Sequence, residues 1–114
     1  MDSRPLTHRE RAVLDALLSA DFPGVEALRA EAEDVEVVGG CGCGCPSIDF
    51  RKEPGVGLHI RVNAAIAGGS YDGLFLFTIQ DHLGGIEYVG SSGKKDPAEF
   101  PDPTLLIVEP LPRR

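Results

Sequence analysis

The chain lacks any apolar run that could cross a membrane, because a spanning helix needs about 20 consecutive apolar residues. Cationic residues are scarce: 11 Lys and Arg stand against 18 Asp and Glu, which gives a net charge of −7. This balance argues against nucleic acid and membrane surfaces as partners and favours a basic protein. Residues 1–10 hold no apolar segment after their charges, so no secretory signal is visible and a cytoplasmic location is expected.

The sequence has no internal repeat, no low-complexity tract and no linker long enough to divide it. Hydrophobic residues make up 42% and charged residues 25% of its 114 residues, which is ordinary for a globular protein. A chain of this length buries roughly two thirds of its surface on folding. We therefore expect a single domain over residues 1–114.

Two helices are predicted at the N-terminal end. Thr7 and Glu10 have the spacing of a capping box, in which each side chain bonds the backbone N–H of the other residue. An apolar stripe follows at helical spacing, so a helix is expected over 8–20. A second helix is expected over 24–33, after Pro23. The residues expected to be buried are Val13, Leu14, Leu17 and Leu18 in the first helix, and Val25, Leu28 and Ala32 in the second.

From residue 35 onward the pattern favours extended chain. Strands are predicted at 35–38, 47–52, 58–62, 74–79 and 86–89, with 104–108 as an edge strand or a docked tail. Residues 39–46 are expected to interrupt the strands, and 81–85 to form a turn. Because these connections are short, neighbouring strands should be antiparallel. The sequence thus predicts an α+β fold: two helices (about 8–33) on one face of a four- to five-stranded antiparallel sheet (about 35–108).

Alternation of apolar residues predicts which way two strands face. Leu58, Ile60 and Val62 should point to the helices, and the residues between them should face solvent or a partner, namely His59, Arg61 and Asn63. In the next strand, one set of alternating apolar side chains faces the helices, and the set Phe75, Phe77 and Ile79 needs another cover. That cover is either a second copy in a homodimer or the segment 105–108 of the same chain.

The unusual motif is Cys41-Gly42-Cys43-Gly44-Cys45-Pro46, which holds all three cysteines. Thiolates bind zinc well, so Cys41, Cys43 and Cys45 are candidate metal ligands. Structural zinc takes four ligands, and the fourth would come from His59, His82, Asp49 or a partner subunit. Two other readings stay open. The cysteines could exchange disulfides as a redox site, although nearby acidic residues oppose thiolate formation, or they could simply pack as small apolar side chains.

Three segments form a recognisable set: Leu6-Thr7-x-x-Glu10, the run from Asp21 to Arg29, and the cysteine motif followed by Ser47-Ile48-Asp49-Phe50. With these segments the chain resembles small uncharacterised actinobacterial proteins. The later part, with Ile86-Glu87-Tyr88 and Phe100-Pro101-Asp102-Pro103, is similar to the closing hairpin of small α+β families of unknown function. Some of those are suspected immunity proteins, encoded beside toxins. The resemblance implies an α+β fold and carries over no catalytic residue.

Taken together, the sequence favours a non-catalytic binding or protein-interaction module, of which an immunity protein is one type. With three histidines and little clustering of polar residues, no catalytic residue or organic cofactor site stands out. The alternative from another class is a small metal-binding or thiol-redox protein that uses Cys41, Cys43 and Cys45, with zinc as the metal.

Overall fold

The computed structural model describes residues 3–40, 46–51, 57–68, 72–90 and 99–110. These residues form two helices, six strands and one 3-10 turn at Pro103–Leu105. The helices are α1 (His8–Leu18) and α2 (Val25–Ala32). The strands are β1 (Gly39–Gly40), β2 (Ile48–Asp49), β3 (Leu58–Ile66), β4 (Gly73–Ile79), β5 (His82–Val89) and β6 (Leu106–Pro110). The α+β class is confirmed, and the sheet has six strands rather than four or five.

The first helix begins as its sequence predicts. Glu10 N–H donates to Thr7 Oγ1 over 3.1 Å, and Thr7 N–H donates to Glu10 Oε1 over 2.9 Å, which completes the capping box. The guanidinium of Arg4 donates two further hydrogen bonds to the same carboxylate, one to each oxygen. Burial alone would raise the pKa of Glu10, but these hydrogen bonds to its ionised form outweigh burial and hold the pKa below its usual range.

The two helices secure each other's C-terminal ends. Arg29 on α2 donates to the carbonyl of Leu18 over 2.8 Å and to that of Ala20 over 3.3 Å. Arg11 on α1 donates to the carbonyl of Ala32 over 2.6 Å. The last carbonyls of a helix lack partners within the helix and carry its negative dipole end, so cationic donors stabilise them.

Arg29→Met should therefore lower the free energy of unfolding by about 1 kcal/mol, because it leaves two carbonyls without their donor. The free energy of unfolding of Arg29→Lys should lie between those of the wild type and Arg29→Met. A lysine keeps the charge but lacks the planar guanidinium that bonds both carbonyls. Urea denaturation of the three proteins checks this, and a Met variant as stable as the wild type would disprove the capping role.

All neighbouring strands are antiparallel, in the order β1-β2-β5-β4-β3-β6. The helices cover one face, and the core lies between. The helix residues that the sequence predicts to be buried fill one side of the core, and alternate residues of the strands fill the other side. The strand side chains in this core are Ile48, Val62, Ala64, Leu74, Leu76, Leu83, Ile86 and Tyr88. We call the opposite face of the sheet the outer face.

Two β-bulges change the register that simple alternation predicts. In β3, Ile60 lies opposite Phe77 and Val62 opposite Leu76, so Arg61 is an extra residue. Val62 is consequently in the core, whereas Ile60 lies on the outer face with Leu58. The prediction that all three share the helix side is wrong for Leu58 and Ile60, because one extra residue shifts every earlier side chain to the other face.

The second bulge lies in β5, where Phe77 is opposite Gly85 and Thr78 opposite Leu83, which leaves Gly84 as the extra residue. The predicted turn over 81–85 is therefore wrong. The chain turns at Gln80 and Asp81, whose φ values of 53° and 68° are those of a two-residue hairpin turn. Both glycines belong to the strand instead.

The N-terminal edge of the sheet also differs from prediction. Gly39 and Gly40, expected to interrupt a strand, form β1, whereas Val37 forms an isolated bridge with Arg4. The segment 106–110 pairs with β3 as an edge strand. It does not lie over Phe75, Phe77 and Ile79, as one of the two predicted covers requires.

Candidate functional site

The outer face of the sheet carries most of the large exposed apolar side chains in the described part of the chain. The large apolar side chains that are exposed there are Leu58, Ile60, Val89, Leu105 and Ile107. Strand pairing places four of the five on this one face, the exception being Leu105 in the 3-10 turn. Single exposed apolar residues are ordinary, but a concentration on one face is typical of a binding surface.

Two of these side chains belong to an apolar strip, which we define as Leu58, Ile60, Phe75, Phe77 and Ile79. Leu58 and Ile60 are exposed and Phe75 is half-buried, whereas Phe77 and Ile79 are buried. The rings of Phe75 and Phe77 have centroids 6.1 Å apart and planes tilted by 58°. The alternation that predicts Phe75, Phe77 and Ile79 on the side away from the helices is correct, since Leu74 and Leu76 lie in the helix-side core. Five residues of β4 span about 14 Å along the strip.

A glycine pair forms the floor next to Phe77. A methyl group on Gly84 would lie 2.7 Å from Phe77 Cδ2, and one on Gly85 would lie 2.7 Å from Phe77 Cζ. The ring thus occupies the space that side chains at these two positions would fill. Phe77 and Ile79 are only 7% and 4% exposed, so these two are already covered within the chain, whereas Ile60, directly opposite Phe77 on β3, is 38% exposed.

Carboxylates border the strip on both sides. Strand pairing sets Glu109, Asn63, Phe75 and Glu87 in one row across four strands. The next row along the strands runs through Ile60, Phe77 and Gly85 to Asp49 on β2. Glu87 and Asp49 are neighbours on the same flank, and Ser47 hydrogen-bonds Glu87.

Both carboxylates of that flank titrate abnormally. Burial raises the pKa of Asp49. Burial also raises the pKa of Glu87, with repulsion from ionised Asp49 as a second cause, and the Ser47 hydrogen bond opposes both. The flank is thus a pair of half-buried carboxylates that repel each other when both are ionised.

This arrangement predicts a pH-dependent effect of Glu87→Gln. A carboxyl group whose pKa is raised by folding binds its proton more tightly in the folded state, so the wild type loses stability as the pH rises through that pKa. The variant should therefore be more stable than the wild type at pH 7, by on the order of 1 kcal/mol, and the gain should shrink toward pH 4. Thermal unfolding at both pH values measures this, with exposed Glu26→Gln as the matched control. A gain that grows on acidification would contradict it.

Basic side chains, by contrast, are directed into the molecule. Of the described arginines, five donate to acceptors within the chain. Those five are Arg4 to Glu10, Arg9 to the carbonyl of Phe100, Arg11 and Arg29 to the helix ends, and Arg61 to Thr78 and Asp81. The described charged groups that border the apolar strip, Asp49, Glu87 and Glu109, are acidic.

The candidate metal ligands are divided by the structure. Cys41, Cys43 and Cys45 lie outside the described residues, so their metal, redox and packing alternatives stay predictions. In the sequence they follow β1 and precede β2. Asp49 lies on β2, next to the motif along the chain. Within the described ranges, no group of three or more His, Cys, Asp or Glu side chains is placed to hold a metal ion.

The two candidate histidines lie on β3 and β5, and neither is on β2 with Asp49. His59 is on β3, and β5 and β4 lie between β3 and β2, which sets the two strands about 14 Å apart. His82 Nδ1 lies 3.2 Å from Glu31 Oε2, while Glu31 Oε1 accepts the N–H of Leu83 over 3.0 Å. Glu31 thus ties α2 to the start of β5, and His82 takes part in that structural contact.

Two other surfaces were candidates for binding. A groove of about 230 Å³ between α1 and α2 is lined by Asp15, Leu18, Ser19, Arg29 and Ala32. Its arginine is already engaged by the end of α1. The groove therefore serves helix packing.

The other surface is the free edge of β6. Ala67 N–H donates to the Leu105 carbonyl, which fixes the register of β6 against β3. In this register the backbone N–H and C=O groups that point away from β3 are those of Leu106, Val108 and Pro110, apart from the N–H that proline lacks. Proline has no N–H, and that of Leu106 donates to the carbonyl of Pro103. Val108 is then the one outward donor on β6, so the edge is poorly suited to adding another strand.

Comparisons with protein-family models, with curated proteins and with solved structures find no match. The resemblance to small actinobacterial proteins therefore stays a prediction. In the described part of the chain, no helix has both the length and the apolar character to span a membrane. The cytoplasmic location stays a prediction as well.

Proposed function

We propose that this protein is a non-catalytic protein-interaction module that binds a basic protein partner through the outer face of its sheet. The observation that carries the proposal is that four of the five large exposed apolar side chains share this face. Burying such side chains in an interface contributes about 25 cal/mol per Å² of apolar surface. The helix side has its own cover, so the binding energy is concentrated on the outer face.

Charge supports the basic character of the partner. The chain carries a net charge of −7, and carboxylates border the apolar strip. A partner of opposite charge is attracted over long distances and associates faster. A second copy of this chain would bring like charges together, which disfavours the homodimer. An immunity-type protein that neutralises a basic toxin is one form that such a module takes.

The test is affinity purification from the source cells with three folded forms of the protein. They are the wild type, Ile60→Ser on the outer face, and Ala27→Ser on the exposed side of α2. We expect a basic protein that is retained by the wild type and by Ala27→Ser but lost with Ile60→Ser, and that rebinds the wild type when both are purified. A partner retained equally by all three would overturn the assignment to the outer face.

Elemental analysis of the same wild-type sample addresses the cysteine alternative. One zinc per chain that disappears in Cys43→Ser would support a metal protein built on residues 41–45. Metal that is sub-stoichiometric and equal in both proteins would end that alternative.

A further inference from the structure

We propose that the segment docked on the outer face is a basic amphipathic α-helix of the partner, lying along the apolar strip. This inference rests on the proposed function and specifies the shape and chemistry of what binds. Three features favour such a helix: the dimensions of the strip, the carboxylates beside it, and the scarcity of free backbone N–H groups on the edge strand β6.

The width of the face fits a helix. Glu109 and Glu87 lie in one row on opposite sides of Asn63 and Phe75. They are three strand spacings apart, or about 14 Å. A helix with its side chains is about 10–12 Å across. One helix therefore fits between the two carboxylates, with its apolar stripe on Phe75 and its flanks beside Glu87 and Glu109.

The length of the face fits as well. The exposed Leu58 and Ile60 and the half-buried Phe75 extend about 14 Å along the sheet, and Phe77 and Ile79 are buried beside them. At 1.5 Å per residue, a helical segment of about ten residues covers that distance and presents apolar side chains at positions i, i+3, i+4 and i+7. Lysine or arginine on both sides of this stripe would meet the carboxylates on both sides of the strip.

An extended strand is the less suitable occupant. Strand addition needs a sheet edge with regularly spaced donors and acceptors, and β6 offers one outward N–H, that of Val108. The outer face has no such requirement, because a helix satisfies its own backbone and brings only side chains to the contact. The inner face of the same sheet already packs against two helices in this way.

The experiment is photo-crosslinking to the partner isolated above. A benzoylphenylalanine replaces Ile60 in one protein and Ala27, on the opposite layer, in a second. The crosslinked partner segment is identified by mass spectrometry, and the matching peptide is synthesised. We expect position 60 alone to react, with a segment that has an apolar stripe at helical spacing and basic residues on both flanks. Circular dichroism should show that the peptide gains helix when the wild-type protein is added.

Charge reversal checks the flanks. Glu109→Lys should weaken binding of that peptide about tenfold at low salt, while Glu26→Lys, which makes the same change on α2, should leave it within about twofold. A crosslinked segment that is acidic, extended or part of a second copy of this chain would overturn the helix proposal. In the first two of these results the outer face remains the binding surface. Reaction at position 27 alone, or at neither position, would overturn the proposed function too.

Discussion

Val62→Asp should unfold the protein, whereas Ile60→Asp, two residues earlier on the same strand, should leave it folded. Val62 is fully buried in the helix-side core, and the bulge at Arg61 turns Ile60 to the outer face. An unpaired carboxylate in the core costs more than about 4 kcal/mol, a large share of the 5–15 kcal/mol that stabilises a typical domain. At the 38% exposed position 60 the loss should be about 1 kcal/mol.

Circular dichroism and thermal melting of the two variants measure this difference. A register without the bulge would place both residues on the helix side, and both variants would then unfold. Equal melting temperatures for Ile60→Asp and Val62→Asp would therefore contradict the bulge and, with it, the assignment of Ile60 to the binding surface.

The second large effect is expected at the glycine pair under Phe77. Gly85→Ala should lower the free energy of unfolding by about 3 kcal/mol, because its methyl group would lie 2.5 Å from the Ile48 carbonyl oxygen and 2.7 Å from the Phe77 ring. Gly84→Ala should cost less, about 1–2 kcal/mol, since it meets side chains only. Gly39→Ala, whose nearest atom would be 3.6 Å away, is the control and should change stability by less than about 0.5 kcal/mol.

A double-mutant cycle separates the two clashes. Phe77→Leu removes the ring that a methyl group at Gly84 would strike, so the Gly84→Ala cost should largely vanish in that background. The Gly85→Ala cost should persist, because the backbone carbonyl of Ile48 remains. Full rescue of Gly85→Ala by Phe77→Leu would show that the contact with β2 is not the cause.

Local patterns in the sequence predict the helical layer well. The capping box at Thr7 and Glu10 is present, and the apolar stripe that follows it is buried. These features depend on residues three or four positions apart, which the helix itself brings together. Of the central strands, β4 follows its predicted alternation, whereas the bulges in β3 and β5 break it.

What sequence patterns miss depends on contacts between distant residues. A bulge is defined by the partner strand, so neither Arg61 nor Gly84 has a local signature. Gly84 and Gly85 resemble a turn, and only the ring of Phe77 from β4 explains them as part of a strand. Asp49 and Glu87 come close together because β2 lies beside β5, although Asp49 is directly opposite Gly85. The sequence shows an acidic residue in each of these two strands, but it does not show that the strands are neighbours.

The most direct test of the binding surface is the dissociation constant of the purified partner for the wild type, for Ile60→Ser and for Ala27→Ser, measured by calorimetry on folded proteins. A truncated apolar contact at the centre of an interface costs about 1–2 kcal/mol or more, which is about tenfold in affinity. We predict at least that loss for Ile60→Ser and none for Ala27→Ser. Equal dissociation constants for all three, or a loss confined to Ala27→Ser, would contradict binding through the outer face.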